Sequence, residues 1–177
     1  MARQVDAACR TMGDMTVYYQ SCPTPLGAMW LAANADGLRG AWFEDQADLP
    51  DLRDWTRGRG HALLQEARRQ LRAYFARTLE TFDLPLSPHS PGTAFQHQVW
   101  QALQTIHFGQ LTHYGALATR LGAPQAARAV GAAVGRNPWS VIVPCHRVVG
   151  ARGELTGYAG GLERKVALLQ REGHWLT

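Results

Sequence analysis

"LTHYGALATRLGAPQAARAVGAAVGRNP" occupies residues 111–138, and its reading decides what the second half of the chain is. It parses as a helix around Tyr114–Leu121, a turn at Gly122–Pro124 and a second helix from about Gln125 to Gly135, stopped by Pro138. A short helix, a glycine-containing turn and a small-residue helix make the shape of a helix-turn-helix. The second helix is almost all Ala, Gly and Val, with Arg128 its one long side chain before Arg136. Small residues bring a backbone close to another surface. That surface is either a set of neighbouring helices or a DNA groove into which one arginine projects, and the narrow minor groove suits small residues better than a bulky recognition face.

Immediately downstream, VIVPCHRVVG (141–150) sets a thiol, an imidazole and a guanidinium on consecutive residues after a β-branched apolar run. The run reads as a buried strand ending in a turn at Pro144. A thiol attacks as thiolate, and an unperturbed cysteine, with a pKa of about 8.5, is mostly protonated at neutral pH. An adjacent base or positive charge shifts that balance, so His146 and Arg147 are the right residue types beside Cys145. Neighbours on an extended strand face opposite ways, so the pair works only where the chain turns. Taken alone, a Cys-His dipeptide is more often a buried inert cysteine.

Upstream, Thr93 can cap a helix, AFQHQVWQALQTI, whose Phe95, Val99, Trp100 and Leu103 share a face. SPHSPG (87–92), with two prolines and a glycine, reads as a linker and divides the chain into domains 1–92 and 93–177. In the first, residues 1–15 read as a loose extension. Strand-like alternation starts at Val17, and residues 26–43 read as two strands joined at Asp36-Gly37. DQADLPDLRDW is polar and reads as loop. HALLQEARRQLRAYFARTL (61–79) carries Leu63, Leu64, Ala67, Leu71, Tyr74 and Phe75 at helical spacing, and a short strand, TFDLPL, follows.

At 177 residues the chain can bury a real core, and no stretch is apolar enough to cross a bilayer. The N-terminus lacks the apolar segment of a secretory signal, so the expected location is cytoplasmic. Cys9, Cys22 and Cys145 are too few and too scattered for a disulfide framework or a zinc motif. The net charge of +4 is unevenly spread: residues 1–92 carry ten Arg against eleven acids, and residues 93–177 carry seven Arg and one Lys against Glu154, Glu163 and Glu172. A second half at +5 suggests a polyanionic partner.

NPWSVIVPCHRVVG, preceded by YG-x-LA and ARAVGAAVGRNP and followed by GYAGGLERKVALLQREG, resembles the O6-alkylguanine-DNA alkyltransferases, the methylated-DNA–protein-cysteine methyltransferases. The likeness is strongest over 93–177, while residues 16–86, with Pro25-Leu26-Gly27 near their start, look like the family's less distinctive N-terminal domain. The resemblance implies an α+β fold: a small N-terminal α/β domain with an antiparallel, ribonuclease H-like sheet, then a mainly helical domain with a winged helix-turn-helix. It implies direct-reversal repair of double-stranded DNA, in which O6-alkylguanine, and O4-alkylthymine as well, gives up its alkyl group irreversibly to Cys145 after base flipping. No metal and no cofactor is implied, since the alkyl carbon is itself the electrophile. Cys9, Cys22, His61 and His89 do not reproduce the zinc ligands of some family members. A monomer is expected.

By the same resemblance, His146 acts as base through a bound water, Glu172 orients His146, and Asn137 holds the turn around the site. Arg128 is the finger that enters the base stack, on a helix whose Ala126, Ala127, Ala129 and Gly131 lie against DNA. Tyr114 assists rotation and donates to guanine N3, easing departure of the base. The backbone carbonyls of Cys145 and Val148 read the exocyclic amine. Tyr158 and the Ala159-Gly160-Gly161 loop form the pocket wall, with the Ala159 N–H facing O6, and Val134 lines it. Two departures stand out: Ala159 replaces a serine common in that loop, and His107 replaces a frequent proline. Three other readings compete. A damage sensor of this fold would lack the reactive cysteine. A transcription factor would offer several base-reading side chains on its second helix. A cysteine hydrolase would usually draw its Cys and His from distant positions.

Overall fold

A computed structural model describes residues 16–174; the extension expected over 1–15, Cys9 included, lies outside the described residues. The chain opens with strands β1 (Tyr18–Cys22), β2 (Met29–Asn34) and β3 (Gly37–Phe43), which form an antiparallel meander. A two-residue strand, β4 (Thr56–Arg57), adds parallel to β1, giving the order β3-β2-β1-β4. The hairpin turns where Asp36-Gly37 predicts it. Gly37 has φ 142°, and a Cβ there would meet the backbone of Pro85 and Leu86.

Helix α1 (Ala62–Phe75) closes one face of the sheet. Its Leu64, Ala67, Leu71 and Tyr74 share a core with Met29, Leu31, Ala33 and Phe43 from alternate positions of the strands. The strand expected over TFDLPL reduces to an isolated bridge, Leu38 to Leu86. Pro85 supplies a carbonyl but no donor, so the pairing stops at the bonds Leu38 N–H to Pro85 C=O (2.7 Å) and Ser87 N–H to Leu38 C=O (2.9 Å).

The stretch 87–92 is pinned to the sheet. Ser90 is buried, and its hydroxyl donates to the Arg39 carbonyl at 2.7 Å. Beyond it, Thr93 caps α2 (Ala94–Leu103) as expected, in a reciprocal box with Gln96. Strand β5 (Thr112–His113) runs directly into α3 (Tyr114–Arg120), and a single 3-10 turn at Pro124–Ala126 leads into α4 (Ala127–Gly135). This is the expected helix-turn-helix. The packing reading of its small-residue helix holds for one face, and the other face is open. Val130, Ala133 and Val134 are buried against α2, where Trp100 Nε1–H donates to the Ala133 carbonyl at 2.8 Å. Arg128, Ala129 and Ala132 face outward.

The run Val141–Val143 is buried but is not the strand expected of it. Val141 has φ 71°, a left-handed conformation costly for a β-branched residue and incompatible with a ladder. The segment before it docks on β3 instead: Ala41 N–H donates to Pro138 C=O (2.8 Å) and Ser140 N–H to Ala41 C=O (2.9 Å). A 3-10 turn (Cys145–Arg147) follows, then β6 (Val148–Val149), paired in parallel with β5. Helix α5 (Leu162–Arg171) ends the described chain. Among the described residues no helix is long and apolar enough to cross a membrane.

Candidate active site

Cys145 opens the 3-10 turn, where the change of direction places Cys145, His146 and Arg147 together in a buried centre. Asn137, just past α4, is held rigidly: its Oδ1 accepts from Trp139 N–H (3.1 Å), and its Nδ2 lies 3.2 Å from Trp139 C=O, 3.0 Å from Val143 C=O and 3.1 Å from Cys145 Sγ. Two amide hydrogens therefore serve three acceptors. A thiolate is the strongest of the three, so deprotonation of the sulfur draws a hydrogen bond already aimed at it. Burial pushes the Cys145 thiol above its ordinary pKa; the Asn137 hydrogen bond and the charge of Lys165 pull the other way without overcoming it. The resting residue is a protected thiol.

His146 is fully buried, with Nε2 2.8 Å from Glu172 Oε1. Burial alone would raise the Glu172 pKa, but hydrogen bonds from His146 and Arg147 outweigh it and hold the group far below the carboxylate range. Burial pushes His146 down, so the imidazole is neutral. An ionised carboxylate accepts, which puts the imidazole proton on Nε2 and a lone pair on Nδ1. That Nδ1 is buried and has no protein partner. It is an available base.

Glu172, the residue that closes α5, is saturated by further donors. Arg147 Nε donates to Oε2 at 2.8 Å and Arg147 Nη2 to Oε1 at 3.0 Å, while the Tyr74 hydroxyl donates to Oε1 at 2.7 Å. Arg147 also donates from Nη1 to the Ile106 carbonyl at 2.5 Å. Sequence reading missed Tyr74, taken there only as a core residue of α1. It also missed Lys165. Lys165 is fully buried and donates from Nζ to the carbonyls of Val148 (2.6 Å) and Thr156 (3.1 Å). A signal existed: it is the chain's one lysine among 18 basic residues.

The remaining expected residues surround this centre unevenly. Tyr114 starts α3, its hydroxyl 2.8 Å from Thr156 Oγ1, and its ring lies over Gly131, 3.6 Å from where a Cβ would stand. Tyr158 buries its hydroxyl; burial, then the nearby Cys145, holds its proton on. Gly160 is buried between the rings of Tyr158 and Phe43, which lie 2.7 and 2.8 Å from where a Cβ would be, so no side chain fits there. Ala159 lies beside it, half-buried, and Val134 is buried in the core at the base of α4. The Val148 carbonyl is already engaged by Lys165 and the Cys145 carbonyl by the Val148 N–H, leaving one lone pair on each. Arg128, by contrast, is exposed on α4, without a hydrogen bond or ion pair among the described residues. Ala129 is exposed beside it, and Ala126, Ala127 and Gly131 are half-buried. Cys22 is a free thiol buried under the sheet, and among the described residues no group of three His, Cys, Asp or Glu side chains could hold a metal.

A helix-turn-helix with one exposed arginine on the outer face of its second helix thus stands in one chain with a buried thiol, followed directly by an imidazole that is paired to a buried carboxylate. Two family models match: the 6-O-methylguanine DNA methyltransferase DNA binding domain matches residues 94–174 and the ribonuclease-like domain matches residues 17–88. The chain belongs to the 6-O-methylguanine DNA methyltransferase family. It is 45% identical over 160 residues to a methylated-DNA–protein-cysteine methyltransferase of Methanosarcina acetivorans, covering 89% of this chain and 99% of that one. The crystal structure of the Mycobacterium tuberculosis O6-methylguanine methyltransferase superposes with a TM-score of 0.81 at 46% identity, over 89% of this chain and 93% of the other. The same organism's OGT in complex with DNA also gives 0.81, at 45% identity over 88% and 92%.

Proposed function

We propose that this protein repairs double-stranded DNA by direct reversal, moving the alkyl group of a flipped O6-alkylguanine, or O4-alkylthymine, onto Cys145. The observation that carries the proposal is the linked set Asn137–Cys145 and His146–Glu172–Arg147, in a chain of this family. Nδ1 of His146, through one bound water, takes the thiol proton. Asn137 then holds the thiolate, and the Glu172 carboxylate stabilises the imidazolium. The sulfur attacks the alkyl carbon in line, the S–C bond forms as the C–O6 bond breaks, and the electron pair leaves on guanine. A proton given by Tyr114 toward N3 offsets the charge that builds there.

The free Arg128 supports a finger that fills the vacated stack, between Ala126, Ala127, Ala129 and Gly131, whose small size lets the backbone approach DNA. Tyr158, Ala159, Gly160 and Val134 form the pocket, and the spare lone pairs of Cys145 and Val148 read the exocyclic amine. The thioether product has no ready leaving group, so each chain acts once. No cofactor enters this chemistry. We further read residues 1–92 and 93–177 as two domains of one monomer acting in the cytoplasm; two free buried thiols suit a reducing compartment.

Intact mass after incubation with an O6-methylguanine duplex tests the reading. Wild type gains one methyl and saturates at one per chain, and Cys145→Ala gains none. Repeated turnover, or methyl on another residue, overturns it.

A further inference from the structure

The sheet carries a cleft that the alkyl-transfer chemistry does not use. Strand β4 covers β1 only at Tyr18 and Tyr19, so the edge beyond is open. Tyr19, Gln20, Ser21 and Trp30 line the opening, together with Arg57, Arg59 and Arg68, around a space of roughly 330 Å³.

Its polar groups are poised to donate. None of the three arginines forms an ion pair among the described residues. Gln20 is only 8% exposed; its Oε1 accepts from Gln65 Nε2 at 3.4 Å, but its own Nε2 has no partner. The Arg68 Nε is likewise buried and unpaired. Gln65 also donates to the Arg59 carbonyl, which ties that residue's backbone to α1. No carboxylate lines the cleft; Glu44, which accepts the Ser21 hydroxyl at 2.8 Å, stands outside it. Two orphaned donors inside an arginine cluster call for an acceptor-rich anion.

The opposite wall is aromatic. Tyr19 and Trp30 have ring centroids 5.5 Å apart, and Arg57 Cζ lies 5.9 Å over the Tyr19 ring. Rings beside guanidiniums provide for a planar heterocycle as well as a charge. The space also exceeds what one inorganic anion fills.

We propose that this cleft is a nucleotide-phosphate site, with the phosphate on Arg57, Arg59, Arg68 and the Gln20 amide and the base against Tyr19 and Trp30. The ligand is a free mononucleotide or the 5′-phosphorylated end of a DNA strand, which share this chemistry. The site is independent of alkyl transfer and leaves α4 free for duplex DNA.

Calorimetric titration of the full chain with dGMP, deoxyguanosine, inorganic phosphate and a single-stranded trinucleotide with or without a 5′-phosphate tests this. dGMP is expected to bind more tightly than phosphate, and deoxyguanosine not to bind. Arg57→Ser/Arg59→Ser, both exposed positions, is expected to weaken dGMP by about tenfold or more. Gln20→Leu weakens it too, and both variants transfer methyl at the wild-type rate. A 5′-phosphorylated trinucleotide that binds more tightly than dGMP assigns the site to strand ends, and equal or weaker binding assigns it to free nucleotides. Undetectable dGMP binding at millimolar concentrations overturns the proposal, as does phosphate binding as tightly as dGMP or undiminished binding to the arginine variant.

Discussion

Replacing Glu172 with glutamine removes one buried charge and turns one of its two acceptor oxygens into a donor. In the native protein four donor groups converge on that carboxylate: Tyr74 Oη, His146 Nε2, and Arg147 Nε and Nη2. An amide cannot receive all four, and its NH2 points at donors. Arg147, 6% exposed, keeps its charge and loses its counter-ion. Breaking a buried pair from one side costs about 3–5 kcal/mol. For a chain of this length each kcal/mol lowers the melting midpoint by about 2–4 °C, so the midpoint should fall by about 6–20 °C. The loss is pH-dependent, and its sign follows from the depressed Glu172 pKa. The folded protein keeps this carboxylate ionised below the ordinary 4.5, so its contribution is complete above that pH and fades as the pH drops below it. The wild type therefore loses stability below pH 4.5 more steeply than Glu172→Gln. Methyl transfer, measured by rapid quench with an O6-methylguanine duplex, should slow by about 10²–10⁴-fold, because the imidazolium loses its anion. Calorimetric midpoints that agree within about 2 °C, with parallel acid limbs, would refute the reasoning.

Three further outcomes are expected. Asn137→Ala strands the carbonyls of Trp139 and Val143 and costs at least about 2 kcal/mol in urea unfolding; it also moves the acid limb of the transfer-rate profile to higher pH, since the sulfur loses its donor, and an unmoved limb counts against that hydrogen bond. Lys165→Met keeps much of the buried volume but removes the charge that helps lower the thiol pKa, so iodoacetamide should label native Cys145 more slowly at a given pH; faster labelling would show a looser site instead. Arg128→Ala leaves unfolding free energy within about 0.5 kcal/mol, because the side chain is exposed and unpaired. It should slow transfer from duplex DNA by about tenfold to a hundredfold, the scale of base unstacking, while sparing transfer from free O6-benzylguanine; equal loss on both substrates would remove Arg128 from base flipping.

How much of this was legible beforehand depended on whether the information was local. Thr93 marks a helix start, and the bounds of α3 and α4 follow from a glycine turn and a proline stop. Cys145, His146 and Arg147 are adjacent, so their juxtaposition could be read from one decapeptide, but that Arg147 serves Glu172 rather than the thiol could not. Tyr74 could not be, because its partner lies 98 residues away and its helical spacing was explained by core packing alone. Lys165 has the composition of a solvated helix cation, and only the fold reveals the two carbonyls that claim it. The strand expected at Val141–Val143 failed for a related reason. β-Branched residues favour extended chain, but the Asn137 side chain takes the Val143 carbonyl and the β3 edge takes Pro138 and Ser140 just upstream, tertiary contacts that no pattern within the run announces.

The junction between β5 and α3 has no slack. Thr112 and His113 pair with Val148 and Val149, His113 accepts the Ala116 N–H at its Nδ1, and Tyr114 is already helical. An engineer who lengthens the chain by one residue between His113 and Tyr114 turns every later position of the helix by about 100° relative to that pairing. Tyr114 would leave Thr156, and α3, with α4 packed on it, would lose its frame relative to the thiol. The exposed turn at 151–154, which begins two residues beyond the same pairing, imposes no such frame and is where a tag or a foreign loop belongs.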